Sequence, residues 1–162
     1  MNKYEEVLQS IFFLNDGQTD LLTGALAPDQ FDQIAKRDLA IADRNSSEIS
    51  IISVALNLDQ YLPANNTNEL GKTQSDIEGE LVKLHFELKS IFRQTDCICR
   101  VSKLGFWILL NNSSQMATKQ LIERTSKSIP SYVHFNSCQR GQGENLLDWY
   151  KRIDKLHFID RK

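Results

Sequence analysis

From Glu48 to Leu58 the chain is rich in Ile and Val on a nearly continuous apolar run. A run of that kind reads as a strand buried at the centre of a sheet. A second constraint is local. Cys97–Val101 and Phe106–Leu110 are short apolar runs joined by Ser102 to Gly105, a connection short enough to make an antiparallel hairpin. Helical patterns surround these strands. Ser75 to Arg93 places Leu81, Leu84, Leu88, Ile91 and Phe92 on one stripe. Pro28 opens a helix to about Ala42, with Phe31, Ile34, Ala35, Leu39 and Ala42 on a broad face. Tyr4, Val7, Leu8, Ile11 and Phe12 repeat at helical spacing, and Asn15-Asp16-Gly17 ends that segment with turn chemistry. Further helices are expected at Ser114–Ser128 and Glu144–Leu156, with a strand at Tyr132–Asn136 between them. Leu62 to Thr73 is polar and Asn-rich and reads as a loop around a weak helical turn.

This order predicts an α+β fold of ferredoxin-like, nucleotide-cyclase-like type: a βααββαβ core with an extra N-terminal helix, and one sheet covered by helices on a single face. We expect an N-terminal amphipathic helix within residues 1–18 and a single domain over 19–162. With 162 residues, 41% hydrophobic, the chain can bury a core without a metal or disulfide staple. A net charge of −2 argues against binding a nucleic acid polymer, which takes a basic surplus to displace counterions. Cys97, Cys99 and Cys138 form no disulfide framework and read as buried reduced thiols. A metal reading would recruit His134 and Cys138, but no second closely spaced ligand pair exists. Nucleophile-elbow and Gly-rich phosphate motifs are absent, so no cofactor is implied. No apolar window reaches the roughly 18 residues of a membrane span, and the chain reads as cytoplasmic.

Several landmarks occur together in order. Asp20-Leu21-Leu22-Thr23-Gly24 reads D-x-L-T-G, and Phe31 follows. Asn57-Leu58-Asp59-Gln60-Tyr61 ends the first strand, and Asn65 comes after it. Arg100 precedes the hairpin turn, and Phe106-Trp107-Ile108-Leu109-Leu110 leaves it. From Asp20 to Asn136 this resembles the GGDEF family of bacterial signalling domains, whose active members condense two GTP molecules into cyclic di-GMP. The resemblance thins after that. It implies a phosphate-binding turn G-G-D/E-E-F, in which glycines let backbone N–H groups approach the phosphates and the acidic residues bind divalent cations. Here the turn is Ser102, Lys103, Leu104, Gly105 and Phe106, and the first aspartate of the family's D-x-D-x-F is Asn57. Magnesium selects carboxylate oxygens, so these departures predict that cyclase activity is lost.

Arg93-Gln94-Thr95-Asp96 is an R-x-x-D, with residues 97–101 between it and the turn. In the resemblance this is the inhibitory site that binds cyclic di-GMP, with Arg124 at the spacing of a further arginine. An arginine fork can donate to guanine O6 and N7, and a carboxylate can accept from N1 and N2. A structural role stays open beside this: Arg93 would serve the end of a helix, and Arg124 would pair with Glu123 or Asp96. An open basic notch between Arg93 and Arg124 would favour the ligand; Arg93 locked to Asp96 would favour the structural role. A third possibility is GTP held as an effector through Asn65 and Glu78. The leading expectation is thus a non-catalytic domain acting as a cyclic di-GMP receptor. The alternative is a ligand-independent module that holds a protein partner or a second copy, using the apolar Ile11-Phe12-Phe13-Leu14 segment.

Overall fold

The computed structural model describes residues 2–65 and 69–157, the last by its backbone only. In chain order the elements are α1 (Lys3–Ser10), α2 (Pro28–Asn45), β1 (Ile49–Leu56), α3 (Leu58–Asn65), α4 (Leu70–Ile91), β2 (Cys97–Ser102), β3 (Gly105–Asn111), α5 (Gln115–Ser126), β4 (Val133–Gln139) and α6 (Leu146–His157). The strands form one sheet in the order β2-β3-β1-β4. Every neighbouring pair is antiparallel. The Ile-rich run is therefore central, as its composition requires, with partners on both edges.

Alternation along the strands divides the core in two. Ile52, Val54 and Leu56 of β1 join Phe106, Ile108 and Leu110 of β3 on one face. There they meet Val7 and Ile11 from the N-terminal segment, Leu58 and Tyr61 of α3, and Ile77, Leu81, Leu84 and Leu88 of α4. Ile49 and Ile51 join Trp107 and Leu109 on the opposite face, under Phe31, Ala35 and Ala42 of α2 and Trp149 and Ile153 of α6. The expectation of helices on a single face is thus corrected. Both faces are covered, because β1 and β3 are apolar on both sides and neither side tolerates water.

Two boundaries also differ from expectation. The segment read as a loop contains the second half of α3 and the first turn of α4; the part of it at 66–68 lies outside the described residues. Asn57 accepts from the Gln60 N–H at 3.1 Å and so caps α3, while Leu58 and Tyr61 are buried. Tertiary burial holds a helix there despite Pro63. At the start of the chain, Ile11 caps α1 instead of continuing it. Cys97 is half-buried, not fully so, whereas Cys99 and Cys138 are buried. Burial pushes the thiols of Cys99 and Cys138 up, which keeps them protonated. Among the described residues, no helix is long and apolar enough to cross a membrane.

Candidate functional site

The hairpin forms where expected, with Ser102 opposite Gly105 and Lys103 and Leu104 at its tip. The first strand delivers Asn57 beside it, since Ala55 pairs with Gly105 and the Leu56 N–H donates to the Leu104 carbonyl at 2.8 Å. The fold therefore brings together the two places where the resemblance expects metal ligands. What stands there does not fit a divalent cation. Leu104 is 1% exposed and packs into the core, Gly105 has no side chain, and the Asn57 side-chain oxygen caps α3. Asp59 is exposed in the first turn of α3. Among the described residues, no three His, Cys, Asp or Glu side chains are grouped to hold a metal ion.

Arg100 lies behind the turn, 0% exposed, and donates to the two carboxylate oxygens of Asp20 at 3.1 and 3.2 Å. The same carboxylate accepts from the Thr23 N–H at 2.9 Å and its hydroxyl at 2.7 Å, which folds Asp20–Gly24 into a turn. Gly24 closes that turn at φ +82°, a conformation open to glycine without strain. Arg100 also donates to the Lys103 carbonyl at 2.9 Å and stands 4.9 Å above the Phe13 ring. Burial pulls its guanidinium below the usual value, and the Asp20 charge works against that. Phe106 is fully buried and stacks on His85 at 6.0 Å. His134 contacts Gln60 at 2.7 Å through Nε2.

The N-terminal segment lies against this turn. The Lys103 ammonium donates to the carbonyls of Leu8 and Gln9, at 3.0 and 3.2 Å, at the C-terminal end of α1. Glu78, expected near a guanine contact, instead accepts from the Phe12 N–H at 2.8 Å and from Gln74 at 3.3 Å. Asn65 donates to the Tyr61 carbonyl at 2.8 Å. No sequence pattern announces the contacts of Lys103 and Glu78. Their partners are 94, 95 and 66 residues away along the chain.

Arg93 and Asp96 are joined. Asp96 has its side chain 2% exposed and accepts from the Arg93 backbone N–H at 2.9 Å, its Nε at 3.4 Å and an Nη at 3.3 Å. That Nη also donates to the Asn111 carbonyl at 3.0 Å. A cavity of about 440 Å³ opens beside Arg93, and the arginine across it is Arg37. Both side chains remain largely exposed, 62% and 67%. Asp38 lies between them, bonded to Arg37 and to the Asn111 side chain. Arg124 is exposed on α5 and, among the described residues, does not line this cavity. Sequence spacing found Arg93 but not Arg37, whose only signal is a charge on the polar side of α2.

Residues 17–154 match the family described as "Diguanylate cyclase, GGDEF domain". No curated protein matches the sequence. Among solved structures, the chain is similar to the GGDEF domain of DgcB from Caulobacter crescentus, in a complex with c-di-GMP. Identity is 12%, 93% of this chain and 90% of that one are covered, and the TM-score is 0.73. The FimX GGDEF domain from Pseudomonas aeruginosa is 14% identical over 87% of this chain and 91% of that one, with a TM-score of 0.71. The diguanylate cyclase SiaD from the same organism, in complex with its activator SiaC, is 14% identical over 88% of this chain and 57% of that one, at 0.72. The family match spans most of the chain and the solved structures share its fold: the chain belongs to the GGDEF family.

Proposed function

We propose that this chain is a non-catalytic GGDEF domain that works in the cytoplasm as an interaction scaffold. The observation that carries the reading is the contact of Lys103 with the end of α1. Where the family's glycines would admit triphosphate, a lysine side chain ties the turn to the N-terminal segment. Two further facts support it: Leu104 is buried at an acidic position, and Asn57 serves as a helix cap. Phosphoryl transfer depends almost wholly on positioning and on charge neutralisation by metal, and neither requirement has its residues here. The test is incubation of the chain with GTP and either magnesium or manganese, followed by chromatography of the nucleotides. No linear or cyclic dinucleotide is expected; formation of cyclic di-GMP above a no-protein control sinks the reading.

Cyclic di-GMP binding at Arg93 and Asp96, with Arg124, is the second reading. The cavity beside Arg93 favours it, since two exposed guanidinium groups flank a space open to a ligand. The buried Asp96 carboxylate weighs against it, because both oxygens already accept from Arg93. Calorimetric titration separates the readings. The receptor predicts saturable heat that Arg93→Ala abolishes; absence of heat at tens of micromolar protein leaves the scaffold alone.

A further inference from the structure

A different cavity, of about 340 Å³, opens on the α2–α6 face of the sheet and is walled by Phe31, Trp107 and Tyr150. Trp107 reaches it because it follows Phe106 on β3, so the two rings leave the strand on opposite faces. The rings are set at angles: Trp107 and Tyr150 have centroids 5.4 Å apart with planes at 46°, and Phe31 meets Trp107 edge-on at 6.4 Å. Around the mouth stand three carboxylates, Asp29, Asp32 and Asp154, and no basic side chain lines the cavity among the described residues. The Tyr150 hydroxyl donates to Asp32 at 3.1 Å, which holds that ring in place.

We infer that this cavity is a binding site for an organic cation, an alkylammonium or guanidinium group. Aromatic faces carry negative potential, and a cation seated among three rings gains from each of them while its charge meets the carboxylates. The competing charges are few. Lys36 pairs with Asp32 at 2.9 Å and offsets one carboxylate. The N-terminus of α2 opens nearby and adds about half a positive charge. Asp29 and Asp154 remain, without an ion-pair partner among the described residues, so the balance stays negative. Burial pushes the Asp154 carboxyl up, as expected of a carboxylate without a neighbouring cation. A nucleotide is disfavoured, since its phosphates would face these carboxylates with no lining cation to meet them. The volume suits one side chain or a small amine.

The test reads the indole N–H resonances of the whole isotope-labelled chain, which has two tryptophans. Trp149 is 0% exposed and donates to the Cys138 carbonyl at 3.2 Å, so it serves as the internal control; Trp107→Phe assigns the pair. The probes are spermidine and tetramethylammonium, as a small amine and a small quaternary ammonium ion, and acetyl-Gly-Arg-Gly-amide, as a partner's cationic side chain. Each is compared with sodium chloride at equal ionic strength. The Trp107 resonance is expected to move saturably below about 10 mM with at least one probe while Trp149 stays still. Asp154→Asn, an exposed and near-isosteric change, is expected to weaken that response about fivefold. Saturation by a small cation alone assigns a small-molecule ligand, and saturation by the peptide alone assigns a protein partner. A Trp107 resonance that responds no more to these cations than to sodium overturns the site. So does saturation unchanged in the Asp29→Asn, Asp154→Asn double variant.

Discussion

At the residue scale, Arg100 is the group least suited to its surroundings, a guanidinium with its side chain 0% exposed. Asp20, the Lys103 carbonyl and the Phe13 ring compensate it, although its Nε has no hydrogen-bond partner among the described residues. Removing either charge of such a pair leaves the other buried alone, a loss of about 3–5 kcal/mol. His85 belongs to the same layer, 6% exposed against Phe106. Burial lowers its pKa, and a hydrogen bond with the Thr23 backbone opposes this more weakly. A histidine whose folded pKa lies below its unfolded value, near 6.5, binds fewer protons when folded. Its contribution is therefore complete above that value and shrinks as pH falls through it. The urea midpoint is expected to drop between pH 7.5 and 5.5, a window above the range where the carboxylates titrate. His85→Gln should flatten that drop, and an equal slope in the variant would refute the assignment.

At the scale of elements, α1 is too short to persist alone, having eight residues. Its N-terminus is closed by a reciprocal pair, Asn2 accepting from the Glu5 N–H and Glu5 accepting from the Asn2 N–H. Its C-terminus rests on the Lys103 ammonium, which meets the Leu8 and Gln9 carbonyls and the negative end of the helix dipole. Lys103→Met keeps the length of the side chain and removes these bonds. We expect a loss of roughly 1–2 kcal/mol, with faster hydrogen exchange confined to α1; uniform exchange in α1 and β1 would contradict a local role. The hairpin that carries Lys103 was legible because its signals are local: short apolar runs on both sides of the four residues Ser102 to Gly105. The contact itself was not, since nothing in the pattern of residues 1–14 refers to residue 103. α3 was hidden for a related reason. Pro63 and the asparagines speak against a helix, and only the cap from Asn57 and the burial of Leu58 and Tyr61 restore it.

At the scale of the molecule, the Ile- and Val-rich run marks a central strand but is read with helices on one face only, and the helical stripes do not say to which face each helix goes. That choice rests on long-range packing, such as Trp149 of α6 against β4. The candidate ligand site divides in the same way. Arg93 and Asp96 were readable from spacing, but the Asn111 carbonyl and Arg37 that complete their surroundings come from distant elements. The apolar segment Ile11–Leu14 carries the final distinction, between a piece of the fold and an interface. Ile11 is 3% exposed in the core and Phe13 lies under Arg100, while Phe12 and Leu14 reach solvent at 38% and 60%. Most of that apolar surface is therefore used within the chain. Removing residues 1–14 would uncover the core beneath Val7 and Ile11 and strip Lys103 and Glu78 of their partners. Two such side chains are worth about 1.5–3 kcal/mol each when buried, less the entropy of ordering the segment. We expect the shortened chain to lose about 2–4 kcal/mol in urea unfolding while its mass by light scattering stays that of the full chain. Unchanged stability together with a halved mass would instead make the segment a dimer contact and move the scaffold's partner surface to the N-terminus.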